Sequence, residues 1–159
     1  MESQLFFNAA VTVDIVIFTL NNTSALLEES PEDKLQVLLI KRRNSPHKDK
    51  WAIPGGFIEA DETLEESARR ELFEETNVKD IPLYQFYSFG DPGRDPRGRV
   101  ITVAFYTIIK KESINPVGGD DALEARWFDF DKLPSLAFDH DKVLKYAYNT
   151  LQKKQTIME

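Results

Sequence analysis

A chain of 159 residues, 42% hydrophobic and 30% charged, is long enough to bury one core and short for two, and its composition excludes a disordered or fibrous chain. Its net charge of −7 speaks against duplex nucleic acid or an anionic membrane as the main partner, because both attract clustered Lys and Arg. The lack of cysteine excludes disulfides and fits a reducing compartment, and the apolar stretch 6–20 is too short to span a bilayer and carries Asp14, so a cytoplasmic protein with a single domain over 1–159 is expected.

The first predicted element is a strand over 9–20 (AAVTVDIVIFTL), and a second follows over 35–41, both rich in β-branched residues. The polar stretch 21–34 between them, with Pro31, reads as a loop. A basic connection containing Arg42, Arg43, Pro46 and His47 then leads to Trp51-Ala52-Ile53-Pro54-Gly55-Gly56, where the paired glycines ask for a special backbone. Thr63 and Glu66 have the spacing of a capping box, so a helix starts there. Leu64, Ala68 and Leu72 give that helix one apolar stripe, Glu65–Arg69 and Glu66–Arg70 are its i,i+4 pairs, and Asn77 suits a left-handed C-cap. Strands are predicted over 83–89 and 99–110, split by a loop dense in Gly, Pro and Arg, and a short one over 125–130. Asp139 is the expected N-cap of a last amphipathic helix carrying Val143, Ala147 and Leu151 and ending near Lys153. The order of strands, helix, strands, helix predicts an α+β fold in which a mixed β-sheet is sandwiched between α-helices.

Three carboxylates share one face of the first helix. Each residue turns the helix by roughly 100°, which keeps Glu71, Glu74 and Glu75 within about 100° of one another. Negative charge near a helix C-terminus opposes the macrodipole, and like charges at these spacings repel, so something positive should compensate. Two readings stand at this point: a solvated acidic face, or oxygen ligands for a hard divalent cation such as magnesium.

The segment from Gly56 to Val78 resembles the signature of the Nudix hydrolases. Gly56, Glu62, Arg70, Glu71, Leu72, Glu74, Glu75 and Val78 fall on its positions, while Asn77 stands where the family has glycine. The resemblance implies hydrolysis of a pyrophosphate bond with Mg2+, for which Mn2+ can substitute, held by Glu71, Glu74, Glu75 and the Gly55 carbonyl. It gives Glu62 and Arg70 the task of holding the helix and its acids. The base that takes the proton of the attacking water is then a glutamate of this helix or an acid of the later turn, Asp120, Asp121 or Glu124. Glu124 is the choice among the turn acids, each of which also reads as part of a polar turn.

Arg94, Arg97 and Arg99 offer bidentate donors for phosphate or ribose oxygens; equally, they could pair locally with Asp91 and Asp95. Phe57, Trp51 and Phe89 are candidates to stack on an adenine or to join the core, and His140 is read as locally hydrogen-bonded near the last helix. The pattern SFGDPGRDPRGRVITVAFY, with Leu136-Ala-Phe-Asp-His140, is similar to the ADP-ribose pyrophosphatase branch of the family. That similarity implies ADP-ribose as substrate, AMP and ribose 5-phosphate as products, Arg94, Arg97, Arg99 and Phe57 as substrate-binding residues, and a homodimer. The alternatives are another dinucleotide, a nucleotide sugar or an oxidised nucleotide, or a non-catalytic ligand-sensing domain of a transcriptional regulator. A regulator would need an added winged helix, which the few residues past Lys153 do not supply, and would not need the full set of glutamates.

Overall fold

The β-branched run near the start of the chain forms β1 (Ala10–Leu20), whose successive side chains point to opposite faces. Val13, Ile15 and Ile17 enter one buried cluster, while Val16 and Phe18 enter another. Burial on both faces is what lets the run stay apolar without alternation. The computed structural model describes residues 7–20 and 34–158, with side chains as far as Lys154, so the loop expected over 21–34 lies outside the described residues but for Lys34.

Among the described residues six further strands complete a seven-stranded sheet: β2 (Leu35–Arg42), β3 (Trp51–Ala52), β4 (Gly55–Phe57), β5 (Tyr84–Phe89), β6 (Val100–Ile109) and β7 (Ala122–Asp129). Its path runs β3-β2-β1-β6-β5, with β4 added to β1 and β7 to β2. β1 and β6 are parallel from Ala10↔Val100 to Thr19↔Ile109, and the other pairings are antiparallel, so the sheet is mixed.

α1 (Leu64–Thr76) packs Ala68 and Leu72, with Leu64 beside them, onto the face of Val13, Ile15 and Ile17. Its ends are those the sequence predicts: the Glu66 N–H donates to Thr63 Oγ1, the Thr63 N–H donates to the Glu66 carboxylate, and Asn77 takes a left-handed φ of 60°. α2 (His140–Met158) covers the opposite face with Val143, Leu144, Ala147 and Leu151. No helix among the described residues is long and apolar enough to cross a membrane.

Several local expectations fail for identifiable reasons. Glu66 does not pair with Arg70, because its carboxylate completes the capping box and Arg70 turns to Glu62. Asp139 does stand directly before α2, its carbonyl accepting the Val143 N–H, but its carboxylate receives Arg94, and α2 runs on past Lys153. β7 begins at Ala122 instead of residue 125, since a register shift at Lys41/Arg42 lets β2 extend the ladder. The paired glycines, for which the sequence asks only a special backbone, form β4 together with Phe57. A Cβ on Gly55 would collide with the Val13 carbonyl and Asp14, so that position can lie against β1 only as glycine, while one on Gly56 would displace the Glu71 carboxylate.

The sheet also splits in a way that makes room for a site. β1 and β2 pair at Phe18–Leu20 against Leu35–Val37 and then part; β4 takes over the edge of β1 at Thr12–Asp14, and β3 that of β2 at Ile40–Lys41.

Candidate active site

A cleft of about 400 Å³ opens where β1 and β2 diverge, with the 53–58 segment, α1, the arginine loop and the start of α2 around it. Glu71 and Glu75 from α1 line it, and Gly55 and Gly56 form part of its wall. The Gly55 N–H donates to Glu75 Oε2 at 2.9 Å, tying the glycine strand to the helix. Glu75 is buried, and that burial pushes its carboxyl up to about 8 against the Gly55 hydrogen bond, with the charges of Glu71 and Asp14 adding to the rise. Glu71 is also raised, first by burial, with Arg70 opposing.

Arg70 is the hub of this acidic face. Its guanidinium donates to Glu62 at 2.6 and 2.9 Å, to Glu71 at 2.8 Å, to Glu74 at 3.3 Å and to the Phe57 carbonyl at 3.0 Å. Glu62, held down to about 2 by Arg70 and then Ser67, lies outside the cleft lining and anchors the arginine from behind. Glu74 is half-exposed and also outside the lining. Among the described residues no three acidic or imidazole side chains stand already gathered around a common point, because Arg70 reaches in among the glutamates. The donor set nevertheless fits a hard divalent cation: oxygen atoms only, a buried Glu75 whose charge the fold leaves weakly compensated, and Glu71 and a glycine backbone beside it.

The three arginines of the loop divide. The Arg94 side chain is buried and bidentate on Asp139, at 3.0 and 2.8 Å, and it lines the cleft. Arg97 also lines it, gripping Asp95 at 3.0 and 2.8 Å while its guanidinium lies 4.7 Å over the Phe57 ring and 5.5 Å from that of Phe138. Arg99 does not line the cleft; it donates to the Gly90 carbonyl and braces the loop. Phe57 sits at the rim, 42% exposed, whereas Phe89 is core and Trp51 packs edge-on against Phe128.

Glu124 lies on β7, outside the lining, with its carboxylate taken by Arg126. Of the turn acids, Asp121 is the one that lines the cleft, where it accepts from Asn44 at 2.7 Å. His140 is not local in its bonding: its Nδ1 accepts the Ile53 N–H at 3.0 Å, across 87 residues, and burial lowers its pKa. Sequence reasoning did not assign Asp14, Arg42 or Phe138 to the site, yet all three line it. Phe138 carried no usable signal, since its left-handed φ of 52° belongs to the fold and not to its residue type. Asp14 did carry one, as a lone carboxylate inside an apolar strand.

A family model described as the NUDIX domain matches residues 20–147. The chain is 42% identical over 144 residues to an ADP-ribose pyrophosphatase of Methanocaldococcus jannaschii, covering 89% of this chain and 75% of that protein. It is 34% identical over 148 residues to the ADPR responsive transcriptional repressor NtrR of Acinetobacter baylyi, covering 91% of this chain but 55% of that one, about half of the regulator's length. A crystal structure of the NUDIX domain of Shewanella oneidensis NrtR complexed with ADP ribose superposes with a TM-score of 0.77 at 30% identity, covering 92% of this chain and 90% of that chain. The matched residues include the glycine strand, the glutamate helix and the arginine loop that together surround the cleft, and on this ground the chain belongs to the Nudix family, as a hydrolase similar to its ADP-ribose pyrophosphatases.

Proposed function

We propose that this protein hydrolyses the pyrophosphate bond of ADP-ribose, giving AMP and ribose 5-phosphate, with magnesium, or manganese in its place, as cofactor. The observation that carries the reading is that one cleft is lined both by the carboxylates Glu71 and Glu75 and by the guanidinium groups of Arg94 and Arg97. A diphosphate needs both, since the arginines can grip its oxygens directly and the acids require a cation between themselves and it. Glu71, Glu74, Glu75 and the Gly55 carbonyl are the groups that would hold the cation, whose contribution is to neutralise phosphate oxygens.

The chain's own residues divide the remaining work. Arg70, fixed by Glu62, keeps the glutamates oriented. Arg97 engages Asp95 through Nε and Nη2, so Nη1 is left for the substrate, and Phe57 beside it, 42% exposed, offers its ring to a base. Water adds to one phosphorus as the bridging P–O bond breaks. Among the carboxylates that line the cleft, Asp121 and the α1 glutamates Glu71 and Glu75 are the ones that can take its proton; Glu124, paired with Arg126 away from the cleft, is set aside for this role. We further propose a cytoplasmic homodimer with no nucleic-acid partner, on the strength of the family resemblance and the charge of −7.

A substrate panel with magnesium, containing ADP-ribose, NADH, FAD, diadenosine polyphosphates, nucleotide sugars and nucleoside triphosphates and read by product chromatography, tests the reading. ADP-ribose should show the highest kcat/KM and release AMP. The similarity to a repressor supports a second reading, a ligand-sensing domain. Tight ADP-ribose binding with no turnover of any panel member would favour it.

A further inference from the structure

Thr12, Asp14, Val16 and Phe18 share one face of β1, so Asp14 stands on the side of the sheet that Val16 and Phe18 present to α2. An aliphatic residue would suit that position, and a carboxylate only 6% exposed is costly unless it has partners. Its partners are incomplete. The Thr102 hydroxyl donates to Oδ2 at 2.6 Å. His140 turns Nε2 toward Oδ1, but at 3.6 Å, beyond a hydrogen bond. Because Nδ1 of that ring accepts from Ile53, the proton of the neutral imidazole sits on Nε2 and fixes which edge faces Asp14. Asp14 also lines the cleft, so Oδ1 is an acceptor on the cleft side that no donor among the described residues fills.

A carboxylate repels phosphate oxygens and accepts from hydroxyl groups. The cleft therefore carries two chemistries, guanidinium groups for the anionic part of a ligand and, on the β1 side, the Asp14 carboxylate as an acceptor for O–H donors. We propose that Asp14, held by Thr102 and backed by His140, is a specificity-determining residue that accepts a hydrogen bond from a ribose hydroxyl of the substrate. It thereby selects a nucleoside diphosphate carrying a sugar over a nucleoside triphosphate, whose terminal phosphate would meet the same carboxylate. The proposal rests on the reading of the cleft as an ADP-ribose site, and the hydroxyl can come from the adenosine ribose or from the terminal ribose.

Calorimetric binding of α,β-methylene ADP-ribose to the full chain with magnesium tests it without requiring turnover. The same ligand is compared with two analogues, one lacking the 2′-hydroxyl of the adenosine ribose and one lacking that of the terminal ribose. In the wild type one analogue should bind about 10-fold or more weakly than the parent, which identifies the ribose. In Asp14→Val, which keeps a strand-forming side chain and removes the acceptor, the parent should weaken comparably and the deoxy penalty should vanish. Should that variant not fold, Asp14→Asn keeps the shape without the charge, and the penalty should shrink. Equal affinities of the three ligands for the wild type, a penalty unchanged in the variants, or a loss confined to magnesium binding would each overturn the proposal. Failure of the substrate panel together with a ribose-dependent affinity would remove the hydrolase reading and leave the role of Asp14; turnover without a deoxy penalty would do the reverse.

Discussion

Glu75 is a carboxylate that the fold buries beside Glu71 and Asp14 with one backbone N–H for company. Glu75→Gln keeps the shape and the acceptor for Gly55 while removing the charge that would hold a cation. We expect kcat to fall by roughly 100-fold or more at saturating magnesium and ADP-ribose, while the melting temperature in EDTA is not lowered, because a neutral amide relieves the crowding of acids. A near-normal kcat would remove Glu75 from the proposed metal site. Arg97→Ala differs in kind: its contact to substrate exists before and during reaction, so KM for ADP-ribose should rise with a smaller change in kcat, and an unchanged KM would take Arg97 out of the substrate site. The signature residues were legible because their spacing is local in sequence, from Gly56 on β4 through α1 to Val78. The sequence favoured Glu124 over Asp121, but which of them faces the cleft depends on the pairing of β7 with β2 and on a register shift at Lys41/Arg42, a fact of tertiary pairing.

α1 owes its boundaries to side chains that lie next to it in sequence, which is why both of its ends could be read off in advance. Asn77 occupies a left-handed position where the family carries glycine. Asn77→Ala should therefore destabilise the protein by about 1–2 kcal/mol in urea melts, whereas Asn77→Gly should leave stability unchanged or slightly higher. Equal losses for the two variants would show that the Asn side chain, and not the backbone, closes the helix. β4 was not legible as a strand because its glycines are there for what they let approach, the Val13 carbonyl on one side and the Glu71 carboxylate on the other. The partners of Arg94 and His140 were missed for the same reason: Asp139 and Ile53 lie 45 and 87 residues away.

The whole molecule carries a charge of −7 and yet lines the cleft with four arginines, Arg42, Arg70, Arg94 and Arg97, a distribution that suits a small anion. Exhaustive EDTA treatment should abolish hydrolysis of ADP-ribose, and magnesium or manganese should restore it; activity that survives chelation would sink the metal-dependent reading. No sequence-dependent gel shift of duplex DNA is expected at physiological salt, and observing one would favour the regulator reading. The class of fold was legible from the order of elements, but the split between β1 and β2 that creates the cleft was not, because short β3 and β4 carry no periodicity of their own. The parallel ladder between Ala10–Thr19 and Val100–Ile109 also sets a schedule for synthesis. At about 5–20 residues per second a ribosome takes roughly 5–20 s to travel from one strand to the other, and during that time β1 waits without its longest partner. Asp14 and His140 then meet only after the start of α2 has been made, so a nascent chain holds an apolar strand in need of protection well before it holds a binding site.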